Sequence, residues 1–257
     1  MKALYEKNEI NFALVWIGLY VVVMNIALQF CDGFDNLAEK TAVQMLVPVG
    51  CILLLAVCLT AWVIRNDLAE KYGLCRFKGN RKAFLWFIPL VVLSCTNLKN
   101  GLALTAPLAV TLLMMVNVAV AGYVEEIIFR GFLFRAMAKD NLKSAIIVSA
   151  VTFGIGHIVN LANTADTLSV LLQVCYAIAI GFLYTIIVYK GGSLWPCIAS
   201  HMFVNASSVL AEKQGPFAEL ITAMCGRSDP QLMQICSAVL IIAVSGSYAL
   251  WLLKKAE

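Results

Sequence analysis

Six polar side chains in this 257-residue chain have the types and spacing to do chemistry: Glu125, Glu126, Arg130, His157, His201 and Asn205. Glu126 and Arg130 are four residues apart, so on a helix they share a face and can pair. Glu125 then points about 100° away, toward a different neighbour. His157 and His201 are the only histidines in the chain; Phe153 precedes the first by four residues and Asn205 follows the second by four. Two glutamates, two histidines and an amide suit hydrolysis. A buried glutamate can take a proton from water. One histidine can share that water or protonate the leaving amine, and the other, with the asparagine, can hold a developing oxyanion. Glu125, His157 and His201 are also possible ligands of a divalent metal such as zinc. The H-E-x-x-H and G-x-S-x-G motifs are absent, and Ser200, Ser207 and Ser208 near His201 have no evident activating partner, which favours direct attack by water. Two other readings stay open on these residues alone. The acids and Arg130 could simply stabilise a helix bundle, or Glu and His could form a proton relay in a transporter.

The elements that must position these residues are membrane helices. The chain is 61% hydrophobic and 13% charged, against about 25% charged in an ordinary soluble domain. Runs of about 20 apolar residues can each cross a hydrocarbon layer as a helix. The sequence predicts an all-α, polytopic bundle of about eight spans: Ile10–Phe30, Ala42–Ile64, Ala83–Thr96, Leu102–Ala136, Ser144–Leu161, Leu168–Tyr189, Leu194–Ala211 and Leu232–Leu253. The third is short and contains Pro89, and the fourth is longer than a bilayer needs. One set of loops and ends carries fourteen Lys or Arg, among them Lys71, Lys78, Arg81, Lys82, Lys139 and Lys190; the alternate loops carry four, Lys40, Lys99, Lys213 and Arg227. This bias predicts that both termini are cytoplasmic. The net charge of +4 then reflects topology and gives no sign of nucleic-acid binding. The first span is too long for a signal-peptide core and is read as a retained helix. No repeat or soluble domain is evident, so residues 1–257 read as one integral-membrane domain.

A charge facing lipid at a helix centre costs roughly 2.5–3.5 kcal/mol, so these groups must face inward and find partners. Glu126 lies thirteen residues before Lys139 and His157 fourteen after Lys143, or about 19 and 21 Å of helix from the basic side. His201 and Asn205 lie eight and twelve residues past Ser193, about 12 and 18 Å. Three helices thus bring polar groups to similar depths. Gly122, Gly131, Gly154, Gly156, Ala199 and Ser200 would let those helices approach closely. Water must reach such a site, and the expected route is a cavity open to the cytoplasm or the inner leaflet.

Three motifs occur in order: EEIIFR (Glu125–Arg130), FGIGH (Phe153–His157) and HMFVN (His201–Asn205). The pattern E-E-x-x-x-R, F-x-x-x-H, H-x-x-x-N in successive membrane helices resembles the CAAX-type prenyl endopeptidase and bacteriocin-processing (CPBP, or Abi) family. The resemblance covers a core from about residue 105 to 209 and extends to the eight-helix layout. It implies a glutamate-dependent or metallo-type intramembrane endopeptidase acting on a peptide or protein at the membrane. Glu125 would be the water-activating base, assisted by His157, with His201 and Asn205 at the oxyanion, Glu126 and Arg130 as the supporting pair, and Phe153 in support. It leaves open whether a metal takes part. The compact chain is most similar to bacterial members, which implies the plasma membrane of a bacterium. It also admits an alternative: a non-catalytic membrane protein, either a bacteriocin self-immunity factor or a sensor-kinase regulator, that keeps the protease fold.

Overall fold

The computed structural model describes residues 1–31, 33, 36–78, 87–162, 164 and 166–255. Among these residues eleven α-helices run in order: α1 (Lys2–Lys7), α2 (Glu9–Gln29), α3 (Ala42–Arg65), α4 (Ile88–Ser94), α5 (Leu108–Glu126), α6 (Phe134–Met137), α7 (Leu142–Gly156), α8 (Thr167–Gly191), α9 (Trp195–Ser208), α10 (Pro216–Cys225) and α11 (Pro230–Lys255). A π-helical segment, Ile127–Leu133, joins α5 to α6 without a break. The all-α bundle is as expected. Among the described residues the sole extended pairing is an isolated antiparallel bridge between Leu102 and Ala211.

Among the described residues six helices are long and apolar enough to cross a membrane: Glu9–Gln29, Ala42–Arg65, Leu108–Met137, Leu142–Ala162, Thr167–Gly191 and Pro230–Lys254. The two other expected spans are shorter. The helix at the third has seven described residues, and positions 83–86 of that expectation, like Arg81 and Lys82, lie outside the described residues. The seventh has fourteen residues, fewer than the ~20 a full crossing takes. The fourth starts at Leu108 rather than Leu102, because Pro107 biases the residue before it away from helix. The seventh stops before Ala211, which pairs with Leu102 instead. Helix α10 was not anticipated; Pro216 opens it and Gly226, at φ 70°, closes it.

Local signals start the helices that carry the site. Asn8 caps α2 by accepting from the Asn11 N–H, Thr41 and Gln44 form a capping box on α3, Asn141 caps α7 through Ser144, and Asp166 caps α8 through Ser169. Outside the core the helices show Leu14, Val22, Val43, Leu54, Val91, Leu112, Ile147 and Val239 to their surroundings. Such broad apolar exposure suits lipid and not water.

The bundle has two different ends. At one, Lys71 and Lys139 bridge Glu9 at 2.8 and 2.5 Å, Leu194 N–H bonds Gly73 O, and Arg135 donates to Gly192 O. Burial pulls the Lys71 pKa down, but hydrogen bonds to Glu9 and the Tyr5 hydroxyl outweigh it and hold the ammonium above its usual value. Beneath these pairs Tyr5, Phe12, Trp62, Tyr72 and Phe132 stack edge-on or tilted, with centroids 4.4–5.5 Å apart in the closest pairs. The expected basic loops therefore do meet at one end. At the other end, Ala103 N–H bonds Leu210 O, Asn100 donates to Lys213 O, and Gln234 donates to Asp166.

Helix α7 packs on α8, α8 on α11, and α5 on α3 and α9. At Gly154 an added Cβ would sit 2.3 Å from Ile178 Cγ1, 2.8 Å from Ile178 N and 2.9 Å from Val174 O. Gly154→Ala is therefore expected to destabilise the protein by about 1–3 kcal/mol. Gly246→Ala, in open space on α11, should cost nothing. Thermal unfolding of both variants in one detergent checks the difference.

Candidate active site

The π segment follows directly on the two glutamates. Its i→i+5 pattern widens the helix by a residue, a feature that recurs at functional sites. The hydroxyl of Ser149 on α7 donates to Phe129 O within it, which ties the widened turn to its neighbour. Directly before it, the two acids diverge as their spacing predicts.

Glu126 points into the protein. Its Oε1 accepts from Arg130 Nη1 at 2.9 Å and from His201 Nδ1 at 2.8 Å. Both Glu126 and Arg130 are 0% exposed. The guanidinium lies over the Phe153 ring, 4.0 Å from its centroid, a cation–π contact that gains strength when dry. Its Nη2 would come within 3.1 Å of a Cβ at position 181, where the chain has glycine. Because a carboxylate can only accept, His201 Nδ1 carries the hydrogen on this side.

Glu125 points toward α2. Its Oε1 accepts a hydrogen bond from the Tyr20 hydroxyl. Its Oε2 lies 3.5 Å from His201 Nε2, and among the described residues that oxygen has no hydrogen-bond partner. His157 donates through Nδ1 to Phe153 O at 3.0 Å, since a carbonyl only accepts; in the neutral ring Nε2 then keeps the lone pair. Phe153 stands edge-on to both histidines, with centroids 5.0 Å from His157 and 5.7 Å from His201. Asn205 donates to Val118 O at 3.0 Å. Gly122 makes room for this pair: a Cβ there would be 3.2 Å from the His201 ring and 3.3 Å from Asn205 Nδ2.

The residues singled out in the sequence thus come together from α5, the π segment, α7 and α9. Two groups that act beside them were not anticipated. Tyr20 comes from α2, 105 residues before Glu125. Tyr184 on α8 shares a hydrogen bond with Ser200 at 2.7 Å and stands 6.0 Å from the His201 ring. A tyrosine within an apolar span was the available signal, since a buried hydroxyl requires a partner.

A cavity of about 520 Å³ adjoins this cluster, within the size range of ligand sites. Glu125, His157, Phe153 and Asn205 line it, as does Tyr20, while Glu126, Arg130 and His201 lie behind its wall. The expected opening was on the side of the basic loops. The cavity runs instead to Leu37, Thr105, Ser208 and Val209, at the end opposite those loops. As for a metal, no three His, Cys, Asp or Glu side chains among the described residues converge to hold one ion. Hydrogen bonds occupy only one atom of each candidate, His157 Nδ1, His201 Nδ1 and Glu125 Oε1, and leave the others open, as metal ligands commonly are; what the three lack is convergence on one point.

Residues 107–207 match the family model described as type II CAAX prenyl endopeptidase Rce1-like. Over 105 residues the chain is 32% identical to a Bacillus subtilis (strain 168) protein named "Putative membrane peptidase YdiL". That stretch is 40% of this chain and 38% of the relative. The family-model match, residues 107–207, spans all three motifs.

Removing one partner of a buried ion pair strands the other, at a cost of about 3–5 kcal/mol. Arg130→Met should destabilise the protein by that order, and adding Glu126→Gln to it should recover part of the loss. Thermal unfolding of the single and double variants measures both.

Proposed function

We propose that this chain, a member through residues 107–207 of the Rce1-like CAAX prenyl endopeptidase family, is an intramembrane endopeptidase of a bacterial plasma membrane. It hydrolyses a membrane-associated peptide or protein by direct attack of water. The observation that carries this reading is the state of Glu125. One oxygen is fixed by Tyr20, the other is without a hydrogen-bond partner among the described residues 3.5 Å from His201 Nε2, and the residue lines a cavity. That is a carboxylate positioned to accept a proton.

In the reaction Glu125 takes a proton from water, with the Nε2 lone pair of His157 on the same cavity wall to assist. The resulting hydroxide attacks the scissile carbonyl carbon. The remaining N–H of Asn205, on the cavity wall, donates to the developing oxyanion, a contact of a kind worth about 3 kcal/mol of transition-state stabilisation. His201, behind the wall, donates through Nδ1 to Glu126 and places Nε2 3.5 Å from Glu125 Oε2, which positions that carboxylate. Glu126 and Arg130 hold His201 in place and do not touch substrate. As the C–N bond breaks, the proton held by Glu125 or His157 passes to the leaving amine. The substrate is a peptide bond, in line with the peptidase names of the matched family and relative.

Glu125→Gln should abolish cleavage of a peptide that the wild type processes, a loss of about 10²–10⁴-fold, in protein that purifies and unfolds normally. Incubating purified protein with a peptide library, with and without a chelator, supplies the assay. Normal processing by Glu125→Gln would end the proposal. Tyr20→Phe, which frees Glu125 of a hydrogen bond worth about 1.5 kcal/mol or more, should lower kcat by about tenfold and leave KM nearly unchanged.

A further inference from the structure

The cavity beside Glu125 has a direction and a chemistry that the peptidase reading does not use. The direction follows from the helices that form it. Helix α2 starts at the basic end with Glu9, and its cavity-lining residues, from Tyr20 to Leu28, occupy its far half. Helix α8 starts at the far end and lines the cavity only with its first turns, through Ser169, Val170 and Gln173. Thr105, Ser169 and Ser208 form an exposed rim there. The basic end is closed. Phe12, Tyr72 and Phe132, none more than 1% exposed, fill the bundle between the site and the Glu9 ion pairs. Water and substrate therefore reach Glu125 from the far side. The positive-inside rule assigns that side to the outer face of the membrane.

The chemistry follows from the lining. Among the described lining residues Glu125 is the single charged group, and no Lys or Arg faces the cavity. The other polar groups are amides and hydroxyls, including Asn117, Asn160, Gln173 and Asn205. Asn160 donates to Gln173 at 3.0 Å. Asn117 is 1% exposed, and its Oδ1 has no hydrogen-bond partner among the described residues. A buried acceptor left unmet is costly, and a peptide N–H would meet it. Asn117 stands eight residues before Glu125 on one helix, about 12 Å along the axis. An extended chain covers that distance in three or four residues.

We propose that the cavity admits an extended, uncharged stretch of polypeptide from the outer face of the membrane and lays it along Asn117 to reach Glu125. The proposal rests on the peptidase reading for the purpose of the site, but its route is tested separately. A free terminal carboxylate within this stretch would enter a cavity that offers it no cation, so the cut falls inside a chain.

The test is thiol labelling of the full chain in intact cells with a membrane-impermeant maleimide, with modified sites located by mass spectrometry to separate them from the nine native cysteines. Ser208→Cys at the rim should label in intact cells, and Lys139→Cys at the basic end only after the membrane is opened. The reverse pattern overturns the route, whether or not the protein proves to be a peptidase. For the chemistry, a peptide that the wild type cleaves is remade with Lys or Asp three or four residues from the cut, on either side. On the side that lies along Asn117, kcat/KM should fall about a hundredfold or more, since the cavity leaves the new charge unpaired. Equal cleavage of the charged and uncharged peptides, on both sides, overturns it. Loss of all cleavage in Glu125→Gln with unchanged labelling is the joint result expected. Retained cleavage with unchanged labelling would remove Glu125 as the base and leave the route standing.

Discussion

A guanidinium sealed inside a membrane bundle is the constraint that the other features answer. Arg130 has no exposed surface, so its charge must be met by protein on all sides. Glu126 meets it from within the same helix, as the four-residue spacing requires. Phe153 on α7 covers one face of the cation, Tyr184 on α8 stands 5.6 Å from it, and Gly181 leaves the room its Nη2 needs. Glu126 then passes the constraint to α9 by accepting from His201. One ion pair thereby fixes the relative positions of α5, α7, α8 and α9. Charged pairs in such a place contribute less to stability than to a single arrangement, which is what a reaction centre needs.

Adjacent identical residues have been given different surroundings. Glu126 is fully buried and bonded to two cationic or donating groups; Glu125, one helical step round, is 12% exposed and bonded to a phenol. Separating the environments of two carboxylates is how proteins assign them different roles. The π segment begins where this divergence ends, and its Phe129 carbonyl accepts both the Phe134 N–H and the Ser149 hydroxyl. The second bond ties the widened turn to α7 while its backbone groups stay paired.

Much of this could be read from the residues. The apolar runs identified the bundle, the i,i+4 spacing identified the Glu126–Arg130 pair, and the lysine bias identified the loops that share an end. What the chain does over short stretches was harder to read. Gly191, Gly192 and Ser193 turn back onto residues 73–78, so α9 starts late and is shorter than a span. Its far end exchanges helix for a bridge to Leu102. Tyr20 escaped because nothing local links positions 20 and 125; only the packing of α2 against the π segment does. Depth counted along the helices placed the polar groups at a common level, yet such counting is blind to which end of a bundle is filled. That depends on where the bulky aromatics converge, which is a tertiary property.

The closed end and the open end depend on each other. An ion pair such as Glu126–Arg130 is strong only where water is excluded, and the aromatic layer under the basic loops provides that exclusion. The proposed hydrolysis needs the opposite, a supply of water to Glu125. A bundle open at both ends would hydrate the pair and loosen His201, while one closed at both would starve the carboxylate. Placing Glu126 on the dry side of α5 and Glu125 on the wet side resolves the conflict within two consecutive residues. The amides along the cavity extend the wet side without adding charge. A line of polar groups can therefore descend to mid-membrane while the lipid-facing surface of the same helices stays apolar.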